Sequence, residues 1–163
     1  MKTLVHHPLQ PVYNSESHTL ILGTMPSPVS RKEGFYYAHA QNRFWRVLSI
    51  IFAVPFPEAV EERKKLVLSR GIALWDVLAS CDIEKAADSS IQNPEPNDIP
   101  GILKKTNITK IYTTGQKAGD LYAKLCFPYT GIKAEVLPST SPANRRYPLD
   151  VLVEKYSVLR RPG

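Results

Sequence analysis

The residues able to do chemistry fall into two short segments. The first runs from Gly23 to Arg46 and holds Pro26, Pro28, Gly34, the aromatic run Phe35-Tyr36-Tyr37, His39 and the tetrapeptide Asn42-Arg43-Phe44-Trp45. The second, Leu137-Pro-Ser-Thr-Ser-Pro-Ala-Asn-Arg145, mixes hydroxyls, prolines, an amide and a guanidinium. Proline fixes φ, so a proline-bearing loop can hold its N–H and C=O groups toward a ligand with little ordering cost. Adjacent rings beside such a loop offer faces for stacking on a flat heterocycle, or else they cap the core. An amide such as Asn42 orients a water or a substrate oxygen, caps a helix, or does both.

Other chemistries find less support. Cys81 and Cys126 are the only cysteines, too few for a disulfide framework or a cysteine-ligated iron–sulfur cluster. No paired Cys/His spacing suggests a metal, so neither metal nor cofactor is expected. His39 reads as a structural histidine bonding a loop carbonyl, with general acid as the alternative. Trp75 reads as core and Asp76 as a side chain that pins a loop. Asp88-Ser89-Ser90 and Asn97-Asp98 either touch a partner or cap the next helix.

The elements that must position these segments follow from periodicity. Thr19-Leu-Ile-Leu-Gly23 is a short apolar run, read as a buried strand entering the loop Thr24-Met-Pro-Ser-Pro28, whose two prolines exclude helix. Asn42 to Ala53 has an apolar stripe of Phe44, Val47, Leu48 and Ile51 at helical spacing, with Asn42 near its start. Glu58 to Ser69 is a charged amphipathic helix, and Ile72 to Ala79 a short helix or a strand with a turn. The Ser, Asn, Asp and Pro content of Asp88 to Gly101 indicates a long loop. Lys110–Thr114 and Lys133–Leu137 read as further strands, with helices at Gln116–Leu125 and Leu149–Leu159. Alternating strands and helices give α/β with a mainly parallel sheet, whose ligands bind beyond the carboxyl ends of the strands. Both proline-rich loops leave strands at that end and should face one cleft.

The chain has 163 residues with 21 Lys+Arg against 15 Asp+Glu, a net charge of +6. Its length suits a single domain over residues 1–163. The positive excess is spread without a basic tail, which favours a phosphate-rich partner as well as an ordinary solvated surface. No apolar run approaches a membrane span, and the first twenty residues lack the apolar core of a secretion signal. A cytoplasmic protein is expected, nucleoid-associated in a prokaryote.

The two segments together resemble the uracil-DNA glycosylase superfamily, with the DNA-deoxyinosine (hypoxanthine-DNA) glycosylase family as the nearer resemblance. The mismatch-specific uracil/thymine glycosylases carry Gly-Ile-Asn-Pro-Gly, an aromatic pair before Ala-His-Pro, then Asn-Arg-Phe-Trp. At the same spacing this chain has Gly23-Thr-Met-Pro-Ser27, Phe35-Tyr-Tyr37, Ala38-His-Ala40 and Asn42-Arg-Phe-Trp45. Their second motif, Leu-Pro-Asn-Pro-Ser-Gly-Leu-Ser-Arg, corresponds to Leu137–Arg145. The resemblance implies a three-layer α/β/α sandwich around a mainly parallel sheet of about four strands.

It also implies residue roles. Gly23, Thr24, Met25, Pro26 and Ser27 would line a base pocket, and Tyr37 would stack on a flipped base. Met25 replaces the asparagine with which the mismatch enzymes position water, a task a thioether cannot perform. In the deoxyinosine family the Asn-Arg-Phe-Trp asparagine is implicated instead, which makes Asn42 the catalytic residue, its carbonyl oxygen holding the water. Ser139, Thr140, Ser141, Pro142, Ala143, Asn144 and Arg145 would meet DNA, with Pro142 and Ala143 as a small wedge and Arg145 and Arg146 on phosphates. The implied reaction is hydrolysis of the N-glycosidic bond of a deaminated base, preferentially hypoxanthine, leaving an abasic site. The expected partner is double-stranded DNA carrying a damaged base, bound by a monomer. A uracil or mismatched-thymine glycosylase, and a non-catalytic DNA- or nucleotide-binding module on the same fold, are the alternatives.

Overall fold

The computed structural model of the chain describes residues 3–6, 9–83, 91–144 and 146–160. Its centre is a parallel sheet of four strands: β2 (Thr19–Gly23), β3 (Ile72–Asp76), β6 (Lys110–Thr114) and β7 (Ala134–Leu137), in the order β3-β2-β6-β7. Every residue of β2 is buried, as expected of a central parallel strand covered on both faces. Side-chain alternation sends Ile21 to one core and Leu20 and Leu22 to the other.

The Ile21 face packs on α2 (Phe44–Ile51), α3 (Val60–Ser69) and α7 (Leu149–Tyr156) through Phe44, Val47, Leu48, Val67, Leu152 and Tyr156. The opposite face packs on α4 (Ile99–Lys104) and α5 (Gln116–Leu125) through Ile99, Ile102, Leu121 and Tyr122. Helices thus cover both faces, giving the three-layer α/β/α sandwich. The chain also forms α6 (Phe127–Thr130) and ends its described part in a 3-10 turn over Ser157–Arg160.

Three expectations are corrected. Asp88–Gly101 is not one long loop: Ile91–Pro96 forms a strand (β5) and Ile99–Lys104 forms α4. Strand β5 pairs antiparallel with β4 (Leu78–Ile83), which pairs with β1 (Thr3–His6) in a second, three-stranded sheet. An edge strand of sequence Ile-Gln-Asn-Pro-Glu-Pro has no apolar alternation to announce it, and its prolines are tolerated because it is an edge. Pro28 does not interrupt regular structure either. It starts α1 (Pro28–Glu33), with the Ser27 hydroxyl accepting from Ser30 N at 3.1 Å, because the first helical position needs no N–H. Finally, helix α2 begins at Phe44 rather than at Asn42. Segment 88–90 lies outside the described residues.

The carboxyl ends of β2, β3, β6 and β7 are Gly23, Asp76, Thr114 and Leu137, brought level by registers such as Gly23↔Asp76 and Thr114↔Leu137. Both proline-rich segments leave from this edge. Leu20→Ala, in the fully buried centre of this sheet, is expected to lower the unfolding free energy by about 2–5 kcal/mol. Urea denaturation followed by circular dichroism measures it.

Candidate active site

Beyond the strand ends lies a cavity of about 630 Å³, lined by Gly23, Thr24, Met25, Pro26 and Ser27 from the first loop and by Ser139 to Asn144 from the second. Tyr36, Tyr37, His39, Asn42, Asp76 and Thr114 complete the wall with Ser30 and Arg31. All the pocket residues expected from sequence therefore meet in one place. Of the second-loop residues, Arg145 lies outside the described ones.

The first loop is tied to the sheet by its carbonyls: Gly23 O accepts from Val77 N at 2.8 Å and Thr24 O from Leu78 N at 3.1 Å. The backbone N–H groups of Met25 and Ser27 have no partner among the described residues. Its aromatic stretch is pinned from behind, with Trp45 Nε1 donating to Tyr36 O at 3.0 Å and Tyr36 Oη to Gln10 O at 2.8 Å. Tyr37 adopts φ 53°, a left-handed backbone that costs a non-glycine residue about 1 kcal/mol. One face of its ring stacks on Phe44 at 3.9 Å between centroids. Its hydroxyl lies 3.4 Å from Thr114 Oγ1. Burial, helped by the nearby Asp76 charge, pushes the Tyr37 hydroxyl well above its ordinary value, against a smaller lowering by Thr114. It remains a protonated donor at neutral pH.

Asn42 sits on the cavity wall just before α2. Its Oδ1 accepts from Phe44 N at 2.9 Å and from Thr140 Oγ1 at 2.8 Å. A backbone N–H can only donate, so the carbonyl oxygen must face it, and this fixes the amide's orientation. Asn42, one residue before the N-cap Arg43, thus both satisfies the first backbone N–H of α2 and bridges to the second loop. Its carbonyl oxygen is doubly engaged and is not the free water-holding acceptor expected from sequence. The Nδ2 group has no partner among the described residues.

The neighbouring Arg43 straps the second loop down. Its guanidinium donates to Tyr147 O at 2.6 Å and to Asn144 O at 2.8 Å, while its backbone N–H donates to Thr140 O at 3.1 Å. Tyr156 on α7 donates to Pro138 O. The loop also bonds itself: Ser141 N donates to Ser139 Oγ, Ala143 N to Ser141 Oγ, and Asn144 Nδ2 to Ser139 O. Asn144 therefore spends its amide N–H on shaping the loop. Ala143 is exposed at the tip beside half-buried Pro142.

Other candidates resolve plainly. His39 Nδ1 accepts from Gln41 N at 3.0 Å, so the partner is a backbone N–H and not the loop carbonyl expected from sequence, and His39 shapes its own turn while lining the cavity. Asn97 Nδ2 donates to Asp76 O and Leu78 O, and Asp98 caps α4 through Gly101 N. Burial pushes the Cys126 thiol up to about 11, which removes it as a nucleophile near neutral pH. No group of three or more His, Cys, Asp or Glu able to hold a metal occurs among the described residues, nor a helix long and apolar enough to cross a membrane.

Residues 10–156 match the uracil DNA glycosylase superfamily. The chain belongs to that superfamily. It is 33% identical over 138 residues to a hypoxanthine DNA glycosylase of Methanosarcina acetivorans, covering 83% of this chain and 86% of the relative. A protein of the same name from Methanosarcina barkeri is 33% identical over 139 residues, with the same coverage. A solution NMR structure from Methanosarcina acetivorans, provisionally named a uracil DNA glycosylase, superposes with a TM-score of 0.82 at 31% identity. That alignment covers 97% of this chain and 98% of the other.

In this glycosylase Thr114 is not among the site residues expected from sequence, and Asp76 is expected to pin a loop; both line the cavity. Thr140 is expected among the DNA contacts and bonds Asn42 instead. Thr114 and Asp76 had one available signal, their position as last residues of parallel strands. The Asn42–Thr140 bond spans 98 positions and leaves no trace in local spacing. Arg43→Met is expected to lower stability by about 2 kcal/mol, since the strap is a charge-assisted pair of hydrogen bonds. Amide hydrogen exchange should accelerate over residues 140–147 while β6 keeps its protection.

Proposed function

We propose that this protein is a monofunctional DNA glycosylase that removes hypoxanthine, the product of adenine deamination, from duplex DNA. The observation that carries the reading is the hydrogen-bonded Asn42–Thr140 pair on the wall of the cavity that Tyr37 also lines. The names of the 33% identical relatives support hypoxanthine as the base.

A base inside a duplex is out of reach, so the nucleotide is extruded into the cavity. Its ring lies on the face of Tyr37 away from Phe44, and the N–H groups of Met25 and Ser27 meet its carbonyl oxygen. Breaking the C1′–N9 bond leaves the electron pair on the base and positive charge on the sugar. The oriented N–H dipoles stabilise the departing base. Water attacks C1′ as the base leaves, its oxygen forming the new bond and its proton passing to solvent or to the base.

Asn42 and Thr140 together hold that water. The Thr140 hydroxyl donates to Asn42 Oδ1, so its lone pairs remain as acceptors, while Asn42 Nδ2 remains as a donor. One water satisfies both. An amide and a hydroxyl are weak bases, so positioning contributes more than proton abstraction. No lysine is among the described cavity-lining residues, and an amine is what a Schiff-base lyase step requires. In this reading hydrolysis ends at an abasic site.

Duplex DNA is the partner and the protein acts as a monomer on it. The Ser139–Asn144 loop enters the duplex with Pro142 and Ala143 at its tip. The Arg31 side chain, at the cavity wall and without a partner among the described residues, joins Arg145 and Arg146 on phosphates.

Single-turnover cleavage of labelled duplexes containing inosine, xanthine or uracil, with alkali to break abasic sites, tests the reading. Inosine should be cleaved by the wild type, about 10²–10³ more slowly by Asn42→Ala, and about tenfold more slowly by Thr140→Val, with DNA binding retained in both. Cleavage of uracil alone would move the assignment to the uracil enzymes. Binding of every duplex without cleavage would make the chain a binding module.

A further inference from the structure

The end of the sheet opposite the cavity carries a concentration of positive charge that the reaction does not use. The chain enters β2, β3, β6 and β7 at that end. These entries hold Arg70, Lys104, Lys105, Lys110, Lys124 and Lys133 against Glu16 and, just inside β7, Glu135. All of these cations are exposed. The lysine ammonium groups have no hydrogen-bond or ion-pair partner among the described residues. Lys104 and Lys124 lie in the last turns of α4 and α5, where a cation complements the helix dipole. Lys110 and Lys133 stand at strand entries instead. The register Ile111↔Ala134 sets them side by side, and like charges on neighbouring strands repel at a cost in stability. A bound polyanion removes that cost.

Backbone hydrogen bonds fix this surface. His18 N donates to Gly71 O at 2.8 Å, Thr109 N to His18 O at 3.0 Å and Asn107 N to Ser17 O at 3.0 Å. The Tyr122 hydroxyl donates to Ile132 O, which ties the entry of β7 to α5. On the same end stands Tyr129, 77% exposed, on the short helix α6 that packs against α4 and α5. Its ring joins neither hydrophobic core. An exposed ring among lysines suits single-stranded nucleic acid, since the cations follow the phosphates and the ring stacks on an unpaired base. An acidic protein segment would engage the cations and need no ring.

We propose that this end of the molecule is a second nucleic-acid surface. A single-stranded segment lies on it with phosphates at Lys104, Lys105, Lys110 and Lys133 and one base stacked on Tyr129. The surface and the cavity occupy opposite ends of the same strands, so one segment is held while the cavity works on another. Two attachments joined in one molecule raise the effective concentration of DNA at the cavity. The inference stands apart from which base the cavity removes.

The probe is oligothymidylate, titrated into isotope-labelled protein and followed by amide chemical shifts. Residues 104–110 and 127–133 should shift in a saturable way, and shifts confined to the two cavity loops would overturn the proposal. Fluorescence anisotropy over a salt series then compares the wild type with Tyr129→Ser and with the triple variant Lys104→Gln, Lys105→Gln, Lys110→Gln, all checked by thermal melting. Tyr129→Ser should weaken binding about tenfold. The triple variant should lower the slope of log affinity against log salt by about 2. Single-turnover cleavage of an inosine duplex at saturating enzyme should match the wild type in both. A fall in that rate would place these residues on the DNA at the cavity and overturn the proposal. A loss confined to the lysine variant, or displacement of the oligonucleotide by polyglutamate at equal charge, would make the surface a general polyanion face and overturn it too.

Discussion

Two adjacent residues at the start of α2 hold the cleft in shape. Asn42 reaches across to Thr140 through its carbonyl oxygen, and Arg43 fastens the carbonyls of Asn144 and Tyr147. Both do this while anchored to one of the best-buried helices of the molecule, whose Phe44, Trp45, Val47 and Leu48 are almost wholly removed from water. The second loop has little apolar surface of its own with which to dock. Without these bonds the loop would keep its tie from Tyr156 to Pro138 O but lose its links to the start of α2 beside the first loop, and the cavity wall would loosen.

The rest of the architecture serves the same edge. The parallel sheet brings Gly23, Asp76 and Thr114 level, and the helices on both faces make that level rigid. Phe44 belongs to the core and also supports the ring of Tyr37, so packing in the interior sets the position of a surface that faces the ligand. The left-handed backbone at Tyr37 is a local cost that this packing offsets. Preorganisation of this kind suits a reaction in which charge develops at fixed places and water must already be in place.

Much of this was legible in the sequence. Burial on both faces makes strand β2 a nearly continuous apolar run, β6 is rich in β-branched and aromatic residues, and α5 carries an apolar stripe with Gly115 before it, so local patterning located all three. The two cleft loops were readable because prolines exclude alternatives, and their spacing carried the resemblance to the superfamily. Strand β5 was not readable, because an edge strand that packs little needs no apolar alternation. Helix α1 was hidden because Pro28 breaks a helix in the interior and begins one at the first position. The doubly engaged carbonyl of Asn42 and the inward carboxylate of Asp76 depend on partners distant in sequence. They become visible only when the sheet has assembled.

The most direct measurement is a structure of the protein bound to a duplex carrying 2′-fluoro-2′-deoxyinosine, whose glycosidic bond resists cleavage. The account predicts hypoxanthine flipped into the cavity against Tyr37, with a water held between Asn42 Nδ2 and Thr140 Oγ1 on the C1′ side of the sugar. A base that stays stacked in the duplex, or one that enters the cavity with no water at that pair, would contradict it.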